Sequence, residues 1–270
     1  SLGFEGPPGT GKTHFVKTAL ASALNRPLIT IPLGGANDVA YLLGHLYAYE
    51  GSKEGCLASA LIESKCCNPI IYFDEVDKIS SSERGSELVG ALIHLVDPTS
   101  NTALRDRYFH NLDIDYSKCT FVFSYNDPSN VSPVLLDRIK RISMPTPTDD
   151  ERRIIVCDHI VPRIQKRHNT NISLSKEALN VILQYSSNGG MRLAEKNVDH
   201  VIANANLCVV CGVDDVACLQ SVCVGAKSGG VNVFNKDDGD AVSGIFAAKV
   251  LSENSLLVGP EQPLNSTMYT

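Results

Sequence analysis

Strand-like apolar runs fall at Leu2–Phe4, Leu28–Leu33, Ile70–Phe73, Thr120–Ser124 and Arg141–Met144. Runs that are apolar almost throughout, such as 70–73, suit strands buried on both faces of a parallel sheet. Between them the apolar positions recur every three to four residues. The clearest stretch is Thr13 to Asn25, where Phe15, Val16, Ala19, Leu20, Ala23 and Leu24 share one stripe, and Leu57–Ser64 and Ser86–Val96 follow the same pattern. Such alternation predicts βαβ units and an α/β fold, a parallel sheet with helices on both faces. The pattern changes at Pro145-Thr146-Pro147. Thr148-Asp149-Asp150-Glu151 reads as a capping box opening a helix that runs to about Arg167. Ser175 caps a second helix, Lys176 to Tyr185, and a third follows Gly189-Gly190, from Met191 to about Leu207. The expected division is an α/β core over 1–146, a small all-helical domain over 147–207, and an unassigned tail over 208–270.

Composition narrows the class. Of 270 residues, 43% are hydrophobic and 20% charged, enough to bury a substantial core. The balance of 24 basic against 30 acidic residues gives a net charge of -6, which argues against a broad nucleic-acid-coating surface. Apolar stretches are broken by Asn, Ser or Gly short of the ~20 residues a membrane helix needs, and no basic-then-apolar leader opens the chain. Nine cysteines, two of them adjacent at Cys66-Cys67, form an odd set ill suited to a closed disulfide framework. They point to a reducing intracellular compartment, cytoplasm or organelle matrix. The chain starts at Ser1 with a functional motif six residues in, and is expected to be part of a longer protein.

That motif is Gly6-Pro7-Pro8-Gly9-Thr10-Gly11-Lys12-Thr13, which fits G-x-x-x-x-G-K-[ST]. Its glycines let the backbone curl so that successive N–H groups face phosphate oxygens. Lys12 is expected to reach the β- and γ-phosphates of ATP, and the Thr13 hydroxyl to bind Mg²⁺. The context supports this, with a short strand before the loop and a helix after it. The apolar run 70–73 ends in Asp74-Glu75, at the strand end where ligands of open α/β sheets bind. Asp74 is expected in the Mg²⁺ shell, by way of water, and Glu75 beside the attacking water. A second buried run ends at Asn126, which can orient that water, and the segment Ser132 to Arg138 makes a short helix whose Arg138 can act on a neighbouring subunit's γ-phosphate. From spacing alone, a strand-end turn residue and a solvated Arg serve equally well for these last two.

Taken together these residues resemble an AAA+ ATPase, and in detail the ATPase module of Lon-type ATP-dependent proteases. The stretches that carry the resemblance are Gly34-Gly35-Ala36-Asn37-Asp38, Gly44-His45, Asp74 to Ile79, Leu92 to Pro98, Asn101, Arg107-Tyr108-Phe109, Leu112, Leu135 to Arg138, and Gly190-Met191-Arg192. They span about residues 1 to 205. The resemblance implies a P-loop AAA+ parallel-sheet core followed by a helical lid, with Asn126 as sensor 1, Arg138 as a finger acting in trans, and Arg192 as sensor 2 on the lid. It also implies a ring of this chain, a hexamer, in which Arg138 completes a neighbour's site and ATP hydrolysis is coupled to unfolding and translocating polypeptide.

The resemblance places an aromatic pore loop at Tyr47-Ala48-Tyr49-Glu50-Gly51, with Tyr49 in the gripping position and Glu50 where an apolar residue is usual. Ser81 to Gly85 corresponds to a second pore loop and lacks a hydrophobic tip. An ordinary surface loop is the alternative for both. The Ser–Lys peptidase dyad of Lon-type proteases is not expected within this chain, because Lys249 follows Ser243 by only six residues and no lysine follows it. Two segments, Val242 to Ala247 and Leu256 to Gly259, faintly resemble the opening strands of that protease domain. Cys208, Cys211, Cys218 and Cys223 suggest zinc only weakly, since buried thiols explain them as well. Asn235 to Asp240 departs from a calcium loop in its Gly position and reads as a turn. Two alternatives remain at the level of sequence. One is an AAA+ nucleic-acid remodeller of the clamp-loader or branch-migration type; the other is a regulatory subunit that binds ATP without turnover.

Overall fold

The computed structural model describes residues 1–46, 48, 50–110, 112–186, 189–211, 234–235, 241–243, 246–248 and 250–252. The chain divides into two compact units, Ser1–Thr146 and Pro147–Thr270.

The first unit is built on a five-stranded parallel sheet of β1 (Leu2–Glu5), β2 (Leu28–Pro32), β3 (Ile70–Asp74), β6 (Thr120–Tyr125) and β7 (Lys140–Ser143), in the order β2-β3-β6-β1-β7. Two short strands, β4 (Leu104–Arg105) and β5 (Asp113–Ile114), pair separately as an antiparallel ribbon. All five sheet strands coincide with the apolar runs of the sequence to within a residue or two. Alternation along the strands sorts their side chains into two layers. Phe4, Ile70, Tyr72 and Val122 pack with Val16 on one face. Ile71, Phe73, Phe121, Phe123 and Tyr125 face the other, against Leu57, Leu88, Leu92 and Leu95. Phe73 and Phe123 stack with centroids 5.0 Å apart, which locks β3 to β6 in register.

The helix after the glycine loop begins at Lys12–Phe15, passes through a π-helical turn, Val16–Leu20, and ends with Ala21–Leu24. The apolar stripe predicted from Ser86 belongs to a helix starting earlier, Glu83–Val96, because Ser82 caps it by accepting the Gly85 N–H. Ser81 to Gly85 is therefore a helix start in this chain.

In the second unit the capping box forms. Thr148 accepts the Glu151 N–H at 3.4 Å, and Glu151 accepts the Thr148 N–H at 2.8 Å. The helix it opens, Asp149–Ile155, widens into a π turn, Val156–Ile160, and continues as Val161–His168. Pro162 lacks an N–H and crowds the preceding turn, which accounts for the widened register just before it. The other helices are Lys176–Tyr185, capped by Ser175, and Gly190–Cys211. Their packing is fixed by a buried polar knot: Arg152 donates to the Ser186 carbonyl at 2.7 Å, and Asn197 donates to the Ser186 hydroxyl oxygen at 2.9 Å. Val242, Phe246, Ala247, Val250 and Leu251 join the same core as Ile160, Ile164, Ile182 and Val198. Val242 also exchanges backbone hydrogen bonds with Ser173 and Ser175.

Thr148→Ala should cost about 1 kcal/mol of stability, the usual worth of an N-cap, read as a lower denaturation midpoint. Glu151 is held below its ordinary value by the Thr148 N–H and hydroxyl. A depressed folded-state value means that the contribution of the Glu151 carboxylate, separate from the Thr148 cap, is complete above the ordinary Glu range and fades as pH falls through the lowered one.

Candidate active site

Strand parity delivers the site. Asp74 continues the face of Ile70 and Tyr72, and Ser124 and Asn126 continue that of Val122, the side on which the helix from Lys12 lies. Because β3, β6 and β1 are neighbours, their C-terminal ends open beside one another. This is where ligands of open parallel sheets bind.

The polar groups there form two hydrogen-bonded sets, one around Lys12 and one around Asp74. Lys12, only 8% exposed, donates from Nζ to the carbonyls of Gly6 at 2.7 Å and Pro7 at 2.9 Å, and to Asn126 Oδ1 at 2.9 Å. The Thr13 hydroxyl donates to Asp74 Oδ2 at 3.3 Å. Ser124 donates its hydroxyl proton to Asp74 Oδ1. The Tyr72 hydroxyl lies 3.0 Å from Asp74 Oδ1, 2.8 Å from Ser124 Oγ and 3.1 Å from Thr13 Oγ1. Burial pushes the Tyr72 phenol up to about 12; the Asp74 charge adds to this, and hydrogen bonds with Ser124 and Thr13 partly offset it. The phenol therefore keeps its proton at neutral pH.

The loop backbone is shaped for a bound anion. Gly6 has φ 156°, and a Cβ there would lie 2.2 Å from the Met144 carbonyl oxygen, so only glycine fits. Gly11 has φ 90° with open space where a Cβ would stand, directly before the first helical turn, whose amides a helix cannot satisfy internally. A hard divalent cation takes oxygen ligands. The Thr13 hydroxyl and Asp74 carboxylate supply two oxygens 3.3 Å apart, so the residues present fit Mg²⁺.

Glu75 is exposed and left-handed, at φ 60° and ψ 48°. For a non-glycine residue that conformation costs on the order of 1–3 kcal/mol and persists only where the surroundings impose it. Asp77 is buried, and its Oδ2 accepts the Asp127 N–H at 3.4 Å, tying the turn after β3 to the one after Asn126; Oδ1 has no partner among the described residues. Arg138 follows the short helix Pro133–Asp137, donates to the Val134 carbonyl at 3.3 Å and pairs with Asp97 at 3.6 Å. Thr99, through its hydroxyl and amide, and then Arg138 hold the Asp97 carboxyl below its ordinary value, so the anchor stays charged.

The structure thus brings together Lys12, Thr13, Asp74 and Asn126. Arg192 is exposed in the first turn of Gly190–Cys211, in the second unit. Tyr47 and Tyr49, Cys218 and Cys223, residues 236–240, Lys249 and residues 256–259 lie outside the described residues. Among the described residues no His, Cys, Asp and Glu cluster could hold a metal by itself, and no helix is long and apolar enough to cross a membrane. No role was expected of Tyr72 or Ser124, whose signal was a period-2 match to Asp74 and Asn126, nor of Asp77 beyond its place in the stretch Asp74 to Ile79.

Residues 2–146 match the model of the ATPase family associated with various cellular activities (AAA). The chain belongs to the AAA family. The chain is also similar to curated Lon proteases. It is 37% identical over 205 residues to "Lon protease" of Campylobacter concisus, covering 74% of this chain and 25% of that protein. With "Lon protease homolog 2, peroxisomal" of Arabidopsis thaliana it shares 37% over 201 residues, 73% of this chain and 22% of the relative. With "Lon protease homolog, mitochondrial" of Yarrowia lipolytica it shares 36% over 219 residues, 79% and 18%. This AAA chain therefore spans about a fifth to a quarter of the length of these relatives.

Proposed function

We propose that this AAA chain binds and hydrolyses Mg-ATP in a ring of identical subunits, a hexamer, and uses the cycle to unfold and thread polypeptide for an ATP-dependent protease of the Lon kind. The observation that carries the reading is the pair of contacts Lys12–Asn126 and Thr13–Asp74, which meet at three neighbouring strand ends. Phosphoryl transfer needs little covalent chemistry from the protein; it needs positioning and charge. Lys12 and the 6–13 backbone would bind the phosphates, exchanging the Gly6 and Pro7 carbonyls for phosphate oxygens. Thr13 directly, and Asp74 through water, would hold Mg²⁺, which neutralises charge on the phosphates when bound. Tyr72 and Ser124 keep the Asp74 carboxylate oriented. Glu75 would accept a hydrogen bond from the attacking water, and Asn126 would align that water against the γ-phosphorus.

Further assignments belong to the same reading. Residues 1–146 form the nucleotide-binding core, 147–207 the lid, and 208–270 a tail; Arg192 on the lid contacts the nucleotide of its own subunit. Tyr49 grips polypeptide in the pore. The peptidase chemistry lies outside this chain, and the compartment is cytoplasm or an organelle matrix. The net charge of -6 favours polypeptide over nucleic acid as the partner.

Arg138 tests the ring. Its anchoring on Asp97 and Val134 leaves the side chain 36% exposed, fit to reach a neighbour. Arg138→Ala should leave nucleotide affinity unchanged and lower turnover on the order of 10³-fold, the low end for a finger supplied in trans. Mixing it with Lys12→Ala subunits, which have a dead site and an intact finger, should restore part of the activity. Full turnover by Arg138→Ala alone would remove the trans assignment.

A further inference from the structure

We propose that Gly34 is a positioning residue for Glu75: the side chain that position 34 lacks would stand where the Glu75 carboxylate sits. The inference rests on Glu75 as the residue that orients the attacking water, and adds to it what holds that carboxylate in place.

β2 and β3 pair in parallel up to Pro32 and Asp74, and the pairing runs one step further, with the Leu33 N–H donating to the Asp74 carbonyl at 2.8 Å. Residues 33–34 therefore travel beside 74–75. At Glu75 the backbone turns left-handed, which swings the side chain off the period-2 course of β3 and over the backbone at Gly34. A Cβ built at Gly34 would lie 2.2 Å from Glu75 Oε2, 3.4 Å from its Cδ and 3.5 Å from its Cβ. Only the first is an overlap, so the conflict falls on the carboxylate alone. The three nearest atoms all belong to the Glu75 side chain, and its carboxylate is the free end of a flexible side chain, so it is the group that must move.

Gly34 is not among the glycines with positive φ, so alanine there carries no backbone strain. Gly35 is its opposite: φ is 81° and a Cβ would meet nothing within 4 Å. The adjacent glycines thus do different work. Gly35 makes the turn, and Gly34 leaves room for a functional group. Gly34→Ala is consequently a probe that displaces Glu75 while leaving the loop, the Lys12 contacts and the fold alone.

The test compares Gly34→Ala, Glu75→Gln, Glu75→Ala and the double variant Gly34→Ala with Glu75→Ala, all in the full-length protein. Gly34→Ala should lower kcat on the order of 10–100-fold, the effect of an ångström-scale misplacement. The KM for ATP, the affinity for a non-hydrolysable ATP analogue and Tm should stay as in the parent. Under single turnover, adding Gly34→Ala to Glu75→Ala should lower residual hydrolysis no further. Unchanged kcat in Gly34→Ala beside an inert Glu75→Gln overturns the positioning role and leaves the role of Glu75 standing. A fall in Tm and analogue affinity along with kcat, or an additive loss in the double variant, overturns it in favour of a structural role. Full turnover by Glu75→Gln removes the reading beneath it.

Discussion

Glu75→Gln should bind ATP with parental affinity and lose turnover by about 10²–10⁴-fold, the usual range for removing one positioned acid–base group. Glutamine matches glutamate in shape, so the left-handed backbone at 75 and the space over Gly34 accommodate it without rearrangement. What it loses is the negative charge that draws a water proton and raises the nucleophilicity of the oxygen. Asp74, which is tied to Thr13 and Ser124, is left in place by the substitution, so the oxygens proposed to hold Mg²⁺ remain. The expected signature is a protein that saturates with fluorescent nucleotide and releases almost no phosphate. Turnover within a few-fold of the parent would show that the attacking water is oriented from elsewhere.

Lys12→Ala should fail one step earlier. The ammonium already has three oxygen partners at 2.7–2.9 Å, in the Gly6 and Pro7 carbonyls and Asn126. In the proposed site, binding would exchange carbonyl partners for charged phosphate oxygens, so the affinity would measure the difference between the two sets. Hydrogen bonds to charged groups contribute about 1.5–3 kcal/mol each, so the affinity for ATP should fall on the order of 10²-fold. The substitution also leaves two loop carbonyls without this donor, and a modest fall in the nucleotide-free Tm should accompany it. Calorimetric titration reads the first effect and a thermal melt the second. Parental affinity in Lys12→Ala would mean that the 6–13 backbone alone holds the phosphates. The two variants also separate, since at a given ATP concentration Glu75→Gln should gain as much thermal stability as the parent and Lys12→Ala much less.

Much of the fold was legible along the chain. The five strands, the capping box at Thr148 and the Ser175 cap all depend on neighbours within a few residues, which a linear pattern records. The glycine loop was equally legible, because φ values of 80° and 90° at Gly9 and Gly11 demand particular residue types. The start at Glu83 was missed because Ser82 caps before the apolar stripe begins. The tail contacts of Val242 and Phe246 with the helices 149–211 were missed because they join positions far apart in sequence.

The sequence by itself marked which residues could carry the chemistry: Lys12, Thr13, Asp74 and Glu75 by type, motif and position at a strand end, and Asn126 through the family resemblance alone, since its spacing suits a turn residue equally well. Only the tertiary structure decided that β3, β6 and β1 are adjacent, and with that the bond between Lys12 and Asn126, 114 positions apart. The same adjacency places Tyr72 and Ser124 around Asp74, and the continued pairing of β2 with β3 sets Gly34 against Glu75. The reason is physical. A strand's period records which face a side chain takes, but nothing along one strand records which other strand will lie beside it.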